Sequence, residues 1–449
     1  MIGHFKKLLQ KIGVDGAVFY SVLARGFQAF SGFISIFLVS KSLSIEEQGF
    51  YYTFTSILAL QIFFEMGLNG IITQYVAHEA AFLEWSEGKL QGEEKNLSRL
   101  SSLLRFCIKW YTIAAAILLF VLQITGYFFF KKFNSNPDIN WKIPWIIIVL
   151  SNSVAFMINP LMSFVQGLGM VKRIEKLRFL QQVSNTIILW FGLVMGAKLY
   201  SGAVSSVLSL SLIVVILINR YKPIIRPIWD SLKSDLVNYK EEIFPYQWKI
   251  SVSWVSGYFI FQIFNPVLFA TQGAEVAGKM GMTLAVLNGV LTLSTSWINT
   301  KVPLFSGMIA KKNYIELDKL FNKTFVQSTI VNVSGLTLFI GVINGFKVFG
   351  LQIADRFLTH IPLICMAGSF LMSHIVGCLS VYLRCHKREP YLGLSITCGI
   401  LCLLSAIILG KNHGLIGMSV GYFLINIGIS FWAYLIFLKK KYEWHIKIA

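Results

Sequence analysis

Arg25, Lys109, Lys249, Lys301 and Glu65 stand inside otherwise apolar runs of this chain. An ionisable side chain at the centre of a bilayer costs about 2.5–3.5 kcal/mol on insertion scales, so each must find a partner, reach the interface or line a water-filled path. Arg25 falls about eight residues into its run, or about 12 Å deep at 1.5 Å per residue, which is too deep for easy snorkelling. Glu65 falls about eleven residues from the same face, or about 16 Å deep. The two reach similar depths on consecutive antiparallel helices. They can form a structural ion pair, or Arg25 can serve a transport pathway.

Lys249 and Lys301 lie nearer their helix ends, where they can snorkel as anchors or face a cavity. Lys109, with Arg105 one turn earlier and Trp110 beside it, reads as an interfacial anchor. A cavity lined by Arg25, Lys249 and Lys301 would attract a diphosphate by charge and by guanidinium hydrogen bonds. Gln28, Gln262, Trp297 and Asn299 offer the amides and the aromatic face that a sugar needs. Gln61, Asn69, Asn265 and Asn288 are further amides in the same runs, and such groups also glue helices together. Glu65 is the one deeply placed acid, and hence the candidate for proton or sodium coupling. Pro266 and Pro303 are placed to interrupt their helices and form bends.

The elements that must position these residues are membrane spans. The 449 residues are 55% hydrophobic and 14% charged, with a mean hydropathy of +0.65. A soluble domain carries about 25% charged residues, so this chain lacks the polar surface that water demands. Apolar runs of spanning length fall at 17–40, 48–76, 103–130, 143–167, 177–197 and 201–220, then at 245–269, 278–305, 323–344, 357–383, 390–410 and 414–438. A crossing takes about 20 residues of helix, and these continuous runs exclude alternating barrel strands.

The net charge of +19 would point to nucleic acid in a soluble protein. Here the cations are spread between spans and set topology instead. Of the 40 basic residues, 27 fall on the side of the N-terminus, nine on the other and four within spans. Both termini are therefore expected in the cytoplasm. Residues 1–13 place Phe5, Leu8, Leu9 and Ile12 at helical spacing among lysines, the pattern of a short amphipathic helix on an anionic leaflet rather than of a cleavable signal.

No metalloprotease HExxH, phosphate-binding P-loop or GxSxG elbow occurs. His78, His360, His374, His386 and His413 are scattered, and the six cysteines show no CxxC pair. No metal, cofactor or catalytic residue is expected. No loop is long enough for a separate extramembrane domain.

Two echoes divide the chain. Glu46–Glu47–Gln48–Gly49 opens the second span and Glu275–Val276–Ala277–Gly278 the eighth. Gly169–Met170–Val171–Lys172–Arg173 closes the fourth, and Arg384–Cys385–His386–Lys387–Arg388 closes the tenth. Similar offsets over an even number of spans imply two lobes of like orientation, with the substrate path between them. The lobes are expected at 1–220 and 245–449, the second ending in a basic cytoplasmic tail, with a polar linker at 221–244.

Arg25 embedded in the first span, the Ser44–Ile45–Glu46–Glu47–Gln48–Gly49–Phe50–Tyr51 turn and the Gln166–Gly167–Leu168–Gly169 exit from the fourth span carry a family resemblance. Across essentially its whole length the chain resembles polysaccharide (O-antigen type) flippases of the multidrug/oligosaccharidyl-lipid/polysaccharide exporter superfamily. These motifs are soft patterns of small and acidic residues. The resemblance implies an all-α integral membrane protein with about twelve transmembrane helices in two six-helix lobes around a central cavity. It also implies export of an undecaprenyl-diphosphate-type lipid-linked oligosaccharide for O-antigen, capsule or exopolysaccharide across the bacterial inner membrane. Alternating access would be driven by H+ or Na+, with other polysaccharide-assembly proteins as candidate partners. A cation-coupled multidrug exporter of the same superfamily is the alternative, disfavoured by the cationic residues. A membrane glycosyltransferase or polymerase is a third reading, disfavoured by the absence of a large loop.

Overall fold

The computed structural model describes residues 16–86, 89–233, 236–386 and 388–445. The amphipathic segment expected at 1–13 lies outside them. The described chain is almost wholly helical. Its helices are α1 (Gly16–Ser42), α2 (Ile45–Leu58), α3 (Leu68–Ala80), α4 (Glu94–Phe133), α5 (Lys142–Gly167), α6 (Val171–Val194) and α7 (Tyr200–Asp230). They continue as α8 (Phe244–Phe261), α9 (Phe264–Gln272), α10 (Ala274–Asn299), α11 (Val302–Ala310), α12 (Tyr314–Val348), α13 (His360–Arg384) and α14 (Leu392–His445). One short antiparallel hairpin, β1 (Leu83–Ser86) with β2 (Lys89–Gly92), joins α3 to α4.

Among the described residues eight helices are long and apolar enough to cross a membrane, or nine if the bent pair around Met66 is one span. α14 runs for 54 residues, far beyond the about 20 that one crossing needs. Its ladder breaks at Gly414, where φ is +59° and ψ is −142°. Gln272 fills that break, its Oε1 accepting from the Leu415 amide at 3.0 Å. α14 is thus two spans, as the sequence pattern predicts. α1 and α6, of 27 and 24 residues, occupy the first and fifth expected spans. α6 opens with Lys172, Arg173, Glu175, Lys176 and Arg178, which lowers its hydropathy while leaving a spanning length. Every expected span coincides with helix, and the chain is an all-α integral membrane protein.

The helices gather into two compact units. The first takes the described residues through Gln28, with Leu58–Lys132 and Asn136–Trp254. Met162 and Val165 of α5, Ile174 and Leu177 of α6, and Ile213, Leu217 and Tyr221 of α7 form a buried core there. Trp145 of α5 lies buried against Gly126 of α4, where any side chain would overlap the indole.

The second unit takes Ala29–Ile57, Phe133–Ser135 and the described residues from Val255 onward. Within it α2 crosses α10 at backbone contact. A Cβ on Gly49 would lie 1.9 Å from the Ala274 carbonyl oxygen, and one on Gly278 would lie 2.9 Å from the Gly49 amide nitrogen. Small residues permit such close crossings in membranes. Phe50 packs edge-on against Phe269 with centroids 4.9 Å apart, and Asn265 donates to Ser56 at 3.1 Å.

The expected interruptions at Pro266 and Pro303 are present as breaks in the helical ladder at 262–263 and 300–301. Each proline follows its break within the first turn of the next helix, where its missing N–H costs nothing. Neither break bends its span by more than 40°; the sharp bend, 41°, falls between Glu65 and Leu68 instead.

Candidate functional site

In the first unit the deep carboxylate sits at this bend. The segment Ile62–Glu65 ends at Met66 and Gly67, whose φ values are +50° and +69°. A left-handed methionine costs energy that surrounding contacts must offset. The Met66 carbonyl, freed from the ladder, accepts from the Ser251 hydroxyl of α8 at 3.1 Å. A side chain on Gly67 would meet Ile250 at 2.6 Å, so α8 holds the bend closely.

Polar groups from neighbouring helices converge here. Glu65 Oε1 accepts from Asn69 Nδ2 at 2.8 Å, and Asn69 Oδ1 accepts from the Tyr111 hydroxyl of α4 at 3.3 Å. Gln61 Oε1 accepts from Asn152 of α5 at 3.1 Å. Thr73 is placed to donate to the Ser163 carbonyl at 3.1 Å. Glu65 is half-buried, so its carboxyl group is held by an amide yet keeps access to its surroundings. Such a group at a broken helix can bind and release a cation or a proton.

Arg25 lies on α1, but its side chain is outside the described residues, and so is its expected pairing with Glu65. Gln28 is exposed on the same helix. Lys249 is exposed on α8, its Nζ 5.9 Å from the Trp248 ring centroid, which fits an interfacial anchor as well as a cavity cation. In the second unit Gln262 is half-buried at the α8–α9 break, and Lys301 is half-buried at the start of α11. Trp297 and Asn299 are exposed at the end of α10. Lys301, Trp297 and Asn299 thus cluster along the chain around the α10–α11 break.

The second unit also holds a groove of about 430 Å³ with an almost wholly apolar lining, including Phe33 and Phe37 of α1, Val286 and Val290 of α10, and Leu338 and Phe346 of α12.

Two constellations were not legible from spacing. The ring of His374 on α13, with no exposed surface, lies among hydroxyls of α10 and α12. His386 and His445, far apart in sequence, bring their Nε2 atoms to 3.2 Å. The His445 ring stacks on Tyr314, and burial holds both imidazoles below their ordinary pKa. Among the described residues no group of three or more side chains is arranged to hold a metal ion.

The connection between α7 and α8 is fastened to α4, all within the first unit. Arg99 bridges Glu79 at 2.9 Å and Glu242 at 2.5 Å. Amides of Lys233 and Val237 donate to Ser98 and Ser102 at 2.9 and 3.2 Å. Arg105 stacks on Trp229 with its guanidinium 4.6 Å from the ring centroid. Burial opposes ionisation of Glu242, but the hydrogen bond and charge of Arg99 and the Asn238 amide outweigh it and hold the carboxyl below its ordinary value. The Glu242 hydrogen bond, working against burial and aided by Glu79, raises Arg99 above its own.

No protein-family model matches this sequence, and no curated protein matches it. Solved structures do. The MATE multidrug transporter DinF-BH aligns with a TM-score of 0.62 at 12% identity over 98% of this chain and 96% of that one. An inward-facing MATE family transporter of the MOP superfamily aligns with a TM-score of 0.61 at 14% identity over 92% and 95%. The lipid II flippase MurJ, in an inward closed conformation, aligns with a TM-score of 0.59 at 14% identity over 96% and 91%. Identities this low establish a likeness of fold. This multi-pass chain therefore has the helical membrane fold shared by MATE transporters and MurJ, proteins that are transporters and a flippase.

Proposed function

We propose that the protein is a flippase that moves a polyprenyl-diphosphate-linked oligosaccharide from the cytoplasmic to the outer leaflet of a bacterial plasma membrane. The observation that carries this reading is the sign of the charge: Arg25, Lys249 and Lys301 interrupt apolar spans against the single deep acid Glu65, in a fold that a lipid II flippase shares. Cations suit a diphosphate and repel a cationic drug. The exposed Trp297 and the amides of Gln28, Gln262 and Asn299 suit sugar rings, and the apolar groove lined by Phe33 and Phe37 suits an isoprenoid tail. Glu65 at the helix bend supplies the coupling group, for a proton or sodium. The orientation that fits the lysines and arginines places both termini in the cytoplasm.

The multidrug alternative is favoured by the fold of DinF-BH, and one experiment separates the two. Proteoliposomes containing the protein are loaded with a fluorescent undecaprenyl-diphosphate oligosaccharide or with a cationic rhodamine dye. Transfer of the labelled lipid to the opposite leaflet, without dye efflux, is expected. Dye efflux without lipid transfer would replace the flippase reading by the exporter one.

A further inference from the structure

His374 is fully buried on α13, and the proton accounting around its ring is unusual. Ser294 Oγ of α10 lies 3.3 Å from Nδ1. Ser328 Oγ and Thr329 Oγ1 of α12 each lie 3.4 Å from Nε2. The hydroxyl protons of both serines are placed to point elsewhere: Ser294 donates to the Leu291 carbonyl at 3.0 Å, and Ser328 to the Ser294 carbonyl at 2.6 Å. Asn332 adds a further donor to Ser294 Oγ at 2.9 Å. What both serines present to the imidazole is then an oxygen lone pair.

A neutral imidazole carries one N–H and one bare nitrogen. With a serine acceptor at each ring nitrogen, either tautomer leaves one nitrogen facing a lone pair, relieved when Thr329 or the weaker Cys378 thiol turns its proton inward. A second ring proton converts both serine contacts into N–H···O hydrogen bonds. Asn332 Oδ1 is buried among these helices without a hydrogen-bond partner, an uncompensated negative dipole end that favours positive charge nearby. Among the described contacts to the ring, the only other titratable group is Cys378, one turn on, with Sγ 3.6 Å from Nε2. α14 also packs against α13, but its buried Tyr422 sets its ring against Phe264 of α9. No carboxylate is among the described contacts to the ring.

We propose that His374, with Ser294, Ser328 and Thr329, forms a proton-binding site inside the second unit. The ligand is a proton taken from water, and the bond formed is the second ring N–H. The donors of this cage are neutral oxygens, so a bound metal cation would keep its full charge, whereas a proton bonds to nitrogen and spreads its charge over the ring. The site requires α10, α12 and α13 to part far enough to admit water during a cycle. The role of this proton in export rests on the transporter reading above; the binding of the proton does not.

The test uses the full chain in lipid nanodiscs with ring nitrogen-15 labelled histidine, followed by nuclear magnetic resonance between about pH 4 and pH 8, a window carried below the ordinary histidine range because the ring is buried. One ring that gains a second N–H in this window, and is missing in His374→Gln, is the expected result. If that variant does not accumulate, Ser328→Ala identifies the ring by shifting its resonances. A His374 ring that stays singly protonated throughout overturns the proposal, and so does a response to sodium at constant pH in place of one to pH. In proteoliposomes, a gradient of about one pH unit should change the wild-type rate of lipid transfer, and His374→Gln should bring the ratio of rates with and without the gradient closer to unity, the remainder belonging to Glu65. A ring that titrates in a protein that moves no lipid supports the proton site and removes the flippase reading. Lipid transfer with a ring that never titrates does the reverse.

Discussion

The side-chain amide of Gln48 donates to the main-chain carbonyl of Gly278 at 2.8 Å. These residues come from the two segments that echo each other in sequence, Glu46–Gly49 and Glu275–Gly278, and in the structure those segments touch. Gly49 and Gly278 meet backbone to backbone, and Gln48 uses the space that they leave to reach that carbonyl, while Arg356 donates to its Oε1 at 3.4 Å. A donor buried there would cost several kcal/mol without a partner.

The first prediction follows from that crossing. Gly49→Val places its branched carbon against the Ala274 carbonyl, where only main chain could yield. Overpacking of this kind costs about 1–3 kcal/mol and often more when backbone must move. The amount of monodisperse protein after detergent extraction should fall severely. Gly345→Ala, at a position with open space around it, should leave it unchanged. Equal recovery of both variants would show that the α2–α10 crossing is not a close one.

The clasp around Arg99 gives a pH prediction. Glu242 is held below its ordinary value of 4.5, so its contribution to stability is complete above that value and is lost as pH falls through the lower folded one. Arg99 stays charged throughout. The apparent melting temperature in detergent should therefore drop more steeply below about pH 4 in the wild type than in Glu242→Gln. Arg99→Ala should be the more damaging change, by roughly 1–3 kcal/mol, because it strands the buried Glu79. Parallel pH profiles for wild type and Glu242→Gln would refute the clasp.

Arg25 and Glu65 are separated by a double replacement. Arg25→Ala should reduce lipid transfer about tenfold or more through loss of a charged hydrogen bond, while the protein still accumulates. Arg25→Lys should retain part of the rate, since charge survives without the bidentate fork. Glu65→Gln should alter the dependence of transfer on pH or sodium. Recovery of transfer in the variant carrying both Arg25→Ala and Glu65→Gln would assign Arg25 to a structural pair instead of to the substrate.

Orientation is open to labelling. With the half-buried Cys365 and Cys385 replaced, single cysteines near Lys132 and Lys347 should react with a membrane-impermeant thiol reagent added outside. Single cysteines near Gln91 and Lys233 should not. The opposite pattern would invert the charge-based topology.

Most spans were legible because a run of about 20 apolar residues in a bilayer has no alternative but helix. α14 could be divided because Gly410, Gly414 and the polar Lys411–Asn412–His413 interrupt its apolar pattern. The bend at Met66 was not visible, since it contains no proline and a left-handed methionine leaves no compositional mark. Gly67 beside it was the one available signal. Glu65 could be identified because a carboxylate is conspicuous in a span. His374 could not, because its partners Ser294 and Ser328 are 80 and 46 residues away, and hydroxyls are common in membrane helices. The cluster of His386 and His445 was hidden for the same reason, 59 residues apart.

The fastening of the α7–α8 connection to α4 has a consequence for the continuity of the chain. Residues 236–254 belong to the first unit, and they carry their own address to it: the Val237 amide on Ser102, Glu242 on Arg99, and Tyr239 stacked on Phe106 with centroids 4.7 Å apart. A polypeptide opened between Lys233 and Leu236 would keep these contacts on its downstream piece. Those contacts do not depend on a continuous chain, so two separately synthesised pieces divided there should find each other in one membrane.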